Sequence, residues 1–435
     1  MGESVPQTRT STLHSMNEST SINIAPGSVL IGLDWAKHKH DYCLKTPVGS
    51  YEHGQVEHGQ SELRQLIDYL SGRFEGRRIS ICMEAGRDPL LWLLETYDDV
   101  DLYVVNTATA ARYRKTFTPS GDKNDQRDAA SILDLLERHP EKVRVHKKSS
   151  LPARAMHQLS AARRNAVDRR TAVISSFREV LELYYPVAPK LFEDLSTGLA
   201  LEFIKRWPDP QSLSKARKTT LTDFFHRHRS RSQERIEKRL EQIEQSHPTI
   251  EDLTLLEVGR MRISDHISQI QILNESIKRY EKQIEEVFEA HEQSSLFSEL
   301  PGAAKNLAPR LLAAFSLLEP KDAVEMQTMV GIAPIRVQSG QSTKTFMRQR
   351  CPKFIRQSFH EFAGCSVKSS AWAKAYYDHM TKTKRCGAHA AKRALAFKWI
   401  RILFACWEKN EPYNEIKYIA ALQRRNSPLV KLILT

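Results

Sequence analysis

Cysteine is scarce and unpaired in this chain. Six residues of 435 (Cys43, Cys82, Cys351, Cys365, Cys386 and Cys406) include no C-x-x-C pair, which excludes a disulfide-stapled secreted scaffold and suits free thiols in a reducing cytoplasm. Cys386 and His389 have ligand-like spacing, but no second pair completes a zinc site. No apolar run reaches the length of a membrane span, and no charged-then-apolar leader opens the chain. The expected location is therefore cytoplasmic, with no membrane partner. Acid is scarce in one place: from Gln341 to Arg401 there are 14 lysines and arginines against two acids, Glu361 and Asp378, leaving +12 of the chain's +13 in one segment.

A generic solubilising charge would be dispersed, so this concentration points to a polyanion, nucleic acid first. Arg348, Arg350, Lys353, Arg356, Lys392 and Arg393 are the candidate phosphate contacts. Trp372, Tyr376 and Tyr377 could stack on bases or pack a core. The length implies two or three domains, and 40% hydrophobic residues can bury real cores.

The chemistry centres on K-N-D-Q-R-D-A, Lys123 to Ala129. Asp125 and Asp128 stand three apart at the start of an apolar-periodic run (Ala130, Ile132, Leu133, Leu135, Leu136), so both carboxylates can share a helix face. Alone, the pair is compatible with a solvated acidic first turn that the helix dipole favours. Upstream, Ser28 to Asp34 is an apolar strand ending in a carboxylate, and Arg78 to Glu84 is another. Asp41–Lys45 and Gly54–Glu57 alternate as strands. A helix near 61–70, one near 89–95, a strand at 102–105 and a helix around 109–116 complete the order. Three strands followed by alternating helix and strand is the order of a ribonuclease-H-like fold. There, Asp34 and Glu84 would leave adjacent strand ends with the Asp125/Asp128 helix across them, a cluster suited to two Mg2+ ions in phosphoryl transfer.

Residues 1–27, rich in Ser, Thr and Asn, are predicted to be a disordered tail. A 28–148 α/β catalytic domain, a 149–295 helical region and a 296–435 mostly helical domain follow. In the middle region Ile263, Ile270, Ile277 and Ile284 recur at heptad spacing, partnered by Leu273, Tyr280 and Val287, each four residues before the next heptad position. That pattern suits a coiled-coil subunit seam or a helix on its own core, and His266 at a core position weakens the first reading. The last domain opens at Leu300-Pro-Gly-Ala-Ala304 and reaches a turn-rich segment where Ser339 precedes Gly340, just before the basic tract. A Ser-Gly pair is ordinarily only a turn.

Together I-G-L-D-W-A-K (Asp34), M-E-A (Glu84), K-N-D-Q-R-D-A, L-P-G-A-A and V-G-I-A-P-I-R-V-Q-S-G (Ser339) resemble the DEDD-type transposases of bacterial insertion-sequence family one-ten, the bridge-RNA-guided recombinases. The likeness covers roughly residues 28 to 428, including K-W-I-R-I-L and S-P-L near the end. It implies a RuvC-like N-terminal domain whose Asp34, Glu84, Asp125 and Asp128 bind magnesium. It makes Ser339 a nucleophile that forms a phosphoserine link to DNA. It implies a helical or coiled-coil middle that supports a dimer or tetramer, with the acidic cluster of one protomer meeting the serine of another. Its partners would be donor and target DNA and a non-coding guide RNA, with the protein on the bacterial nucleoid when bound. Two positions depart from the pattern: Ala304 replaces the second glycine of L-P-G-x-G, and Cys351 stands where glycine is commoner. A water-using junction nuclease and a non-catalytic nucleic-acid scaffold are the rival readings.

Overall fold

In the computed structural model the described residues are 24–84, 88–117, 125–148, 150–246, 252–340 and 342–434. The tail expected over 1–27 lies almost wholly outside them. The chain divides into two compact units, Met1–Lys148 and Ser149–Thr435.

The first unit is a six-stranded sheet with helices on both faces. Its elements are β1 (Val29–Asp34), β2 (Lys39–Lys45), β3 (Tyr51–Glu57), α1 (Gln60–Arg73), β4 (Ile79–Glu84), α2 (Asp88–Leu94), β5 (Val100–Val105), α3 (Thr107–Phe117), α4 (Asp125–Arg138) and β6 (Val143–Val145). The strand order is β3-β2-β1-β4-β5-β6. β1, β2 and β3 form an antiparallel meander, β4 and β5 run parallel to β1, and β6 returns antiparallel. The element order expected from the sequence is present, with β6 added.

Side chains alternate across a strand, and here the alternation sorts two cores. Val29, Ile31 and Leu33 with Ile79, Ile81 and Met83 meet Leu63, Ile67 and Leu70 of α1 and Leu90, Leu91 and Leu94 of α2. On the opposite face Cys82, Tyr103 and Val105 meet Ile132, Leu135 and Leu136 of α4, while Cys43 meets Ala129 and Leu133.

The second unit is helical apart from one hairpin. Helix α5 (Leu151–Tyr184) is capped by Ser150, whose Oγ accepts from the Ala153 N–H at 3.3 Å. Short helices α6 (Ala188–Leu191), α7 (Gly198–Arg206), α8 (Pro210–Ser214), α9 (Lys218–Arg227) and α10 (Gln233–Glu244) lead to α11 (Leu253–Glu289). Then come α12 (Ser295–Ser298), α13 (Ala304–Leu318), α14 (Ala323–Met329), the hairpin β7 (Ile335–Ser339) and β8 (Ser342–Phe346), α15 (Lys353–Ser366), α16 (Ala371–Asp378), α17 (Ala388–Lys409), α18 (Glu415–Arg424) and α19 (Pro428–Leu434).

Helices α5 and α11 run antiparallel along each other. Arg163 pairs with Glu281 at 2.6 Å, Arg170 donates to Asn274 at 2.8 Å, and His266 stacks on Phe177 at 5.7 Å. At the far end a Cβ on Gly259 would stand 2.7 Å from the Tyr184 ring, so only glycine permits this approach. The four heptad isoleucines are 1%, 0%, 5% and 4% exposed, and Ile263 and Ile270 share a core with Phe177 and Val180. The stripe is therefore covered by its own chain. A second core, built on Phe315, Phe359, Phe362, Trp372 and Trp399, holds the C-terminal helices. Among the described residues no helix is long and apolar enough to cross a membrane.

Candidate carboxylate site and nucleic-acid interface

Asp34 ends β1 and Glu84 ends β4. The strands are parallel neighbours in the register Gly32↔Cys82 and Leu33↔Met83, which sets the two carboxylate residues side by side. Alternation puts Asp34 on the face of Gly32 and Glu84 on the face of Cys82, the face that α4 covers. Gly32 is what lets α4 lie there: a Cβ on it would stand 2.5 Å from the Leu133 backbone N and closer still to the Ala129 carbonyl oxygen. Ala129, Ile132, Leu133, Leu135 and Leu136 are all 3% exposed or less. Each large side chain among them contributes about 1.5–3 kcal/mol of burial. Two carboxylates about 4 Å apart repel by about 1–4 kcal/mol, so packing decides where the first turn of α4 sits and the charges must be neutralised there.

One neutraliser is present. Arg114 of α3 pairs with Oδ2 of Asp128, whose side chain is 7% exposed. The other oxygen, Oδ1, is buried with no hydrogen-bond partner. A buried unpaired carboxylate oxygen is costly, and with Asp34 and Glu84 it offers the hard oxygen donors that magnesium takes. The donor set fits a divalent cation in chemistry. Among the described residues no three such side chains already converge on one ion position. The side chain of Asp125 lies outside the described residues.

Two residues near this site carry little signal in the sequence. Arg114 is one, and its pairing depends on how α3 packs on α4. Asp41 is the other: it faces Asp34 across the β1–β2 ladder, is 3% exposed, and accepts from Gln55 Nε2 at 2.8 Å. Its one signal is an aspartate in a strand otherwise rich in buried residues.

In the second unit Ser339 is the last residue of β7, directly opposite Ser342 on β8. Gly340 turns the hairpin at φ +57°, and nothing lies within 4 Å of where its Cβ would be. Every residue of both strands is exposed. Ile335, Val337 and Ser339 alternate on one face of the ribbon, so the hydroxyl stands at the tip of an open hairpin. The candidate cations follow it. Arg350 and Lys353 are exposed, whereas Arg348 has a buried Nε with no partner. Arg356 donates to the Arg348 carbonyl at 2.9 Å and so shapes the loop itself. Lys392 packs over Gly364, and Lys392 and Arg393 flank His360. Burial, reinforced by those two charges, holds that imidazole below its usual range. Trp372 is fully buried and belongs to the core.

Residues 31–186 match the DEDD family of IS110 elements, described as Transposase, and residues 294–378 match the family described as Transposase IS116/IS110/IS902. The chain belongs to the IS110 family of transposases. It is 26% identical over 412 residues to the candidate transposase of the IS117 mini-circle in Streptomyces coelicolor, covering 91% of this chain and 97% of that one. It is also 27% identical over 205 residues to the candidate transposase y4uE of Sinorhizobium fredii, covering 46% and 56% of the two chains. An uncharacterized protein of insertion element IS116 from Streptomyces clavuligerus is 22% identical over 334 residues, with 74% and 80% covered.

The two departures from the IS110 pattern now have structural surroundings. Ala304 begins α13 at φ +45°, a left-handed conformation that glycine adopts without strain. Gly302, two residues earlier, has φ +81°, and its Cβ would stand 2.7 Å from the Cys365 carbonyl carbon. Cys351 fills space beside Gly331, where a Cβ would lie 2.6 Å from that of Cys351.

Proposed function

We propose that this IS110-family transposase cuts and exchanges DNA strands by magnesium-dependent phosphoryl transfer, with Ser339 as nucleophile and a non-coding RNA selecting the DNA partners. The observation that carries the metal-dependent part is the orphaned Oδ1 of buried Asp128, on a helix seated against the strands that end in Asp34 and Glu84. In this reading Asp34, Glu84, Asp125 and Asp128 hold the ions within a RuvC-like domain. Divalent cations held there would supply Lewis-acid polarisation of a phosphate and charge stabilisation for a departing oxygen. Arg114 keeps the carboxylate of Asp128 oriented.

Ser339 supplies the hydroxyl. A serine is a weak nucleophile at neutral pH and needs activation. Its Oγ forms a bond to phosphorus, one P–O bond of the DNA backbone breaks, and the proton ends on the departing sugar oxygen. The phosphodiester energy stays in the serine–phosphate bond, so a new strand end can reverse the step with no external energy source. Exposure of Ser339 at a hairpin tip, ahead of Arg350 and Lys353, supports the role. The guide RNA and a dimeric or tetrameric assembly are carried by family resemblance.

The test is to incubate the protein with labelled junction DNA, with and without magnesium, and separate covalent adducts on denaturing gels. Wild type should trap a protein-linked strand only with metal. Ser339→Ala should abolish the adduct, and Ser342→Ala, changed in parallel, should retain it. An adduct formed by Ser339→Ala sinks the assignment. Free nicks from wild type favour a water-using nuclease, and binding alone favours a scaffold.

A further inference from the structure

Helices α17 and α18 enclose a cleft of about 520 Å³. Five cations line it (Lys398, Arg401, Lys409, Lys417 and Arg425), and Glu411 is the one acid among the lining residues. No ion pair to any of the five is found among the described residues. Five cations gathered around a cavity with one acid among its lining repel one another, and a bound polyanion relieves that cost.

Lys398 shows the strain most directly. It is half-buried, with its Nζ 4.8 Å from the centre of the Tyr376 ring. Burial first, and then the Arg401 charge beside it, push its pKa below the usual lysine range. The aromatic residues of the cleft are already engaged. Tyr418 packs on Trp372 at 5.1 Å and Tyr413 on Trp399 at 5.1 Å, and the Tyr413 hydroxyl accepts from Trp372 Nε1 at 2.7 Å. With those rings committed to the core, the cleft offers charge rather than stacking platforms.

We infer that the α17–α18 cleft is a binding site for a polynucleotide phosphate backbone, in which Lys398 and Arg401 from the end of the basic tract join Lys409, Lys417 and Arg425 beyond it, and which uses neither the Ser339 hairpin nor the six candidate cations named after it. Phosphate contacts position a nucleic acid without reading it, so this site anchors DNA or RNA irrespective of sequence. The inference stands whether or not Ser339 is the nucleophile.

The experiment is equilibrium binding in EDTA, where no strand is cut, as a function of salt. The full-length Lys417→Ala/Arg425→Ala protein is compared with wild type on duplex DNA and on single-stranded RNA. For every phosphate that the variant no longer neutralises, the log–log salt slope should fall by about 0.9 on the duplex or about 0.7 on the single strand. A fall on the duplex assigns the cleft to DNA, and a fall on the single strand assigns it to RNA. Lys278→Ala/Lys282→Ala, exposed cations on α11, should leave both slopes unchanged. Arg401→Gln serves as a second cleft variant if the double change lowers the melting temperature. Slopes equal to wild type on both polymers in a folded cleft variant overturn the proposal.

Discussion

Gly32→Ala tests whether the sheet and α4 act together to build the carboxylate site. The added methyl would meet backbone on both sides, 2.5 Å from the Leu133 N and nearer to the Ala129 carbonyl oxygen, where ordinary contact begins at 3.4 Å. Backbone cannot rotate out of the way as a side chain can, so α4 must withdraw by about 1 Å. Overpacking of this kind costs about 1–3 kcal/mol, and α4 keeps the buried Ile132, Leu135 and Leu136 that hold it to the sheet. The unit should therefore fold with a lowered melting temperature. The first turn would carry Asp128 away from Asp34 and Glu84, and a misplacement of about 1 Å in a catalytic constellation can cost about 100-fold in rate. The assay is magnesium-dependent adduct formation on junction DNA, normalised to folded protein by circular dichroism. Gly72→Ala is the control, because nothing lies within 4 Å of its added methyl and alanine favours a helix. Adduct formation by Gly32→Ala within about threefold of wild type would refute the coupling between strand and helix.

Glu361→Gln should destabilise the second unit by about 2–3 kcal/mol in urea denaturation, because it leaves the Arg310 guanidinium, 8% exposed, without its charged partner at 2.7 Å. The figure stays below that of a fully buried pair since Glu361 is 30% exposed; a loss under about 0.5 kcal/mol would mean that Ser358 and the Phe354 ring suffice to hold Arg310. Ala304→Gly should raise stability by about 0.5–1 kcal/mol: relief of a left-handed alanine gives about 1–2 kcal/mol, and the added freedom of unfolded glycine removes part of it. A lower melting temperature for that variant would show that the methyl group packs usefully.

The first unit is largely legible in the sequence because its elements carry clean periods. Val29, Ile31 and Leu33 alternate with Leu30, Gly32 and Asp34, and the two sets face different helices. An acid at the end of such a run signals a strand end at the edge of a core, which is why Asp34 and Glu84 can be placed without any geometry. Strand β6 escapes a sequence reading because three residues hold too little pattern. The ribbon of β7 and β8 reads only as turns. Its alternation of Ile335, Val337 and Ser339 is present, but a hairpin with both faces exposed lacks the apolar contrast that marks a strand.

Where the sequence leaves two readings open, packing chooses between them. Heptad isoleucines need an apolar partner, and nothing in their spacing says whether it lies on another chain or on α5. The pairs Arg163–Glu281 and Arg170–Asn274 fix the choice, since they run in opposite chain order and bring α5 onto the stripe. The stripe is therefore already covered within the chain. The same reasoning explains Arg114. A basic residue in a helix is a surface cation by default, and it becomes the counter-charge of Asp128 only because α3 packs on α4. Charges of one sign can be counted along a chain, but their neutralisation depends on which elements meet. The sequence can therefore expose the carboxylates and the basic tract, while the arginine that shares Asp128 and the oxygen left over require the fold.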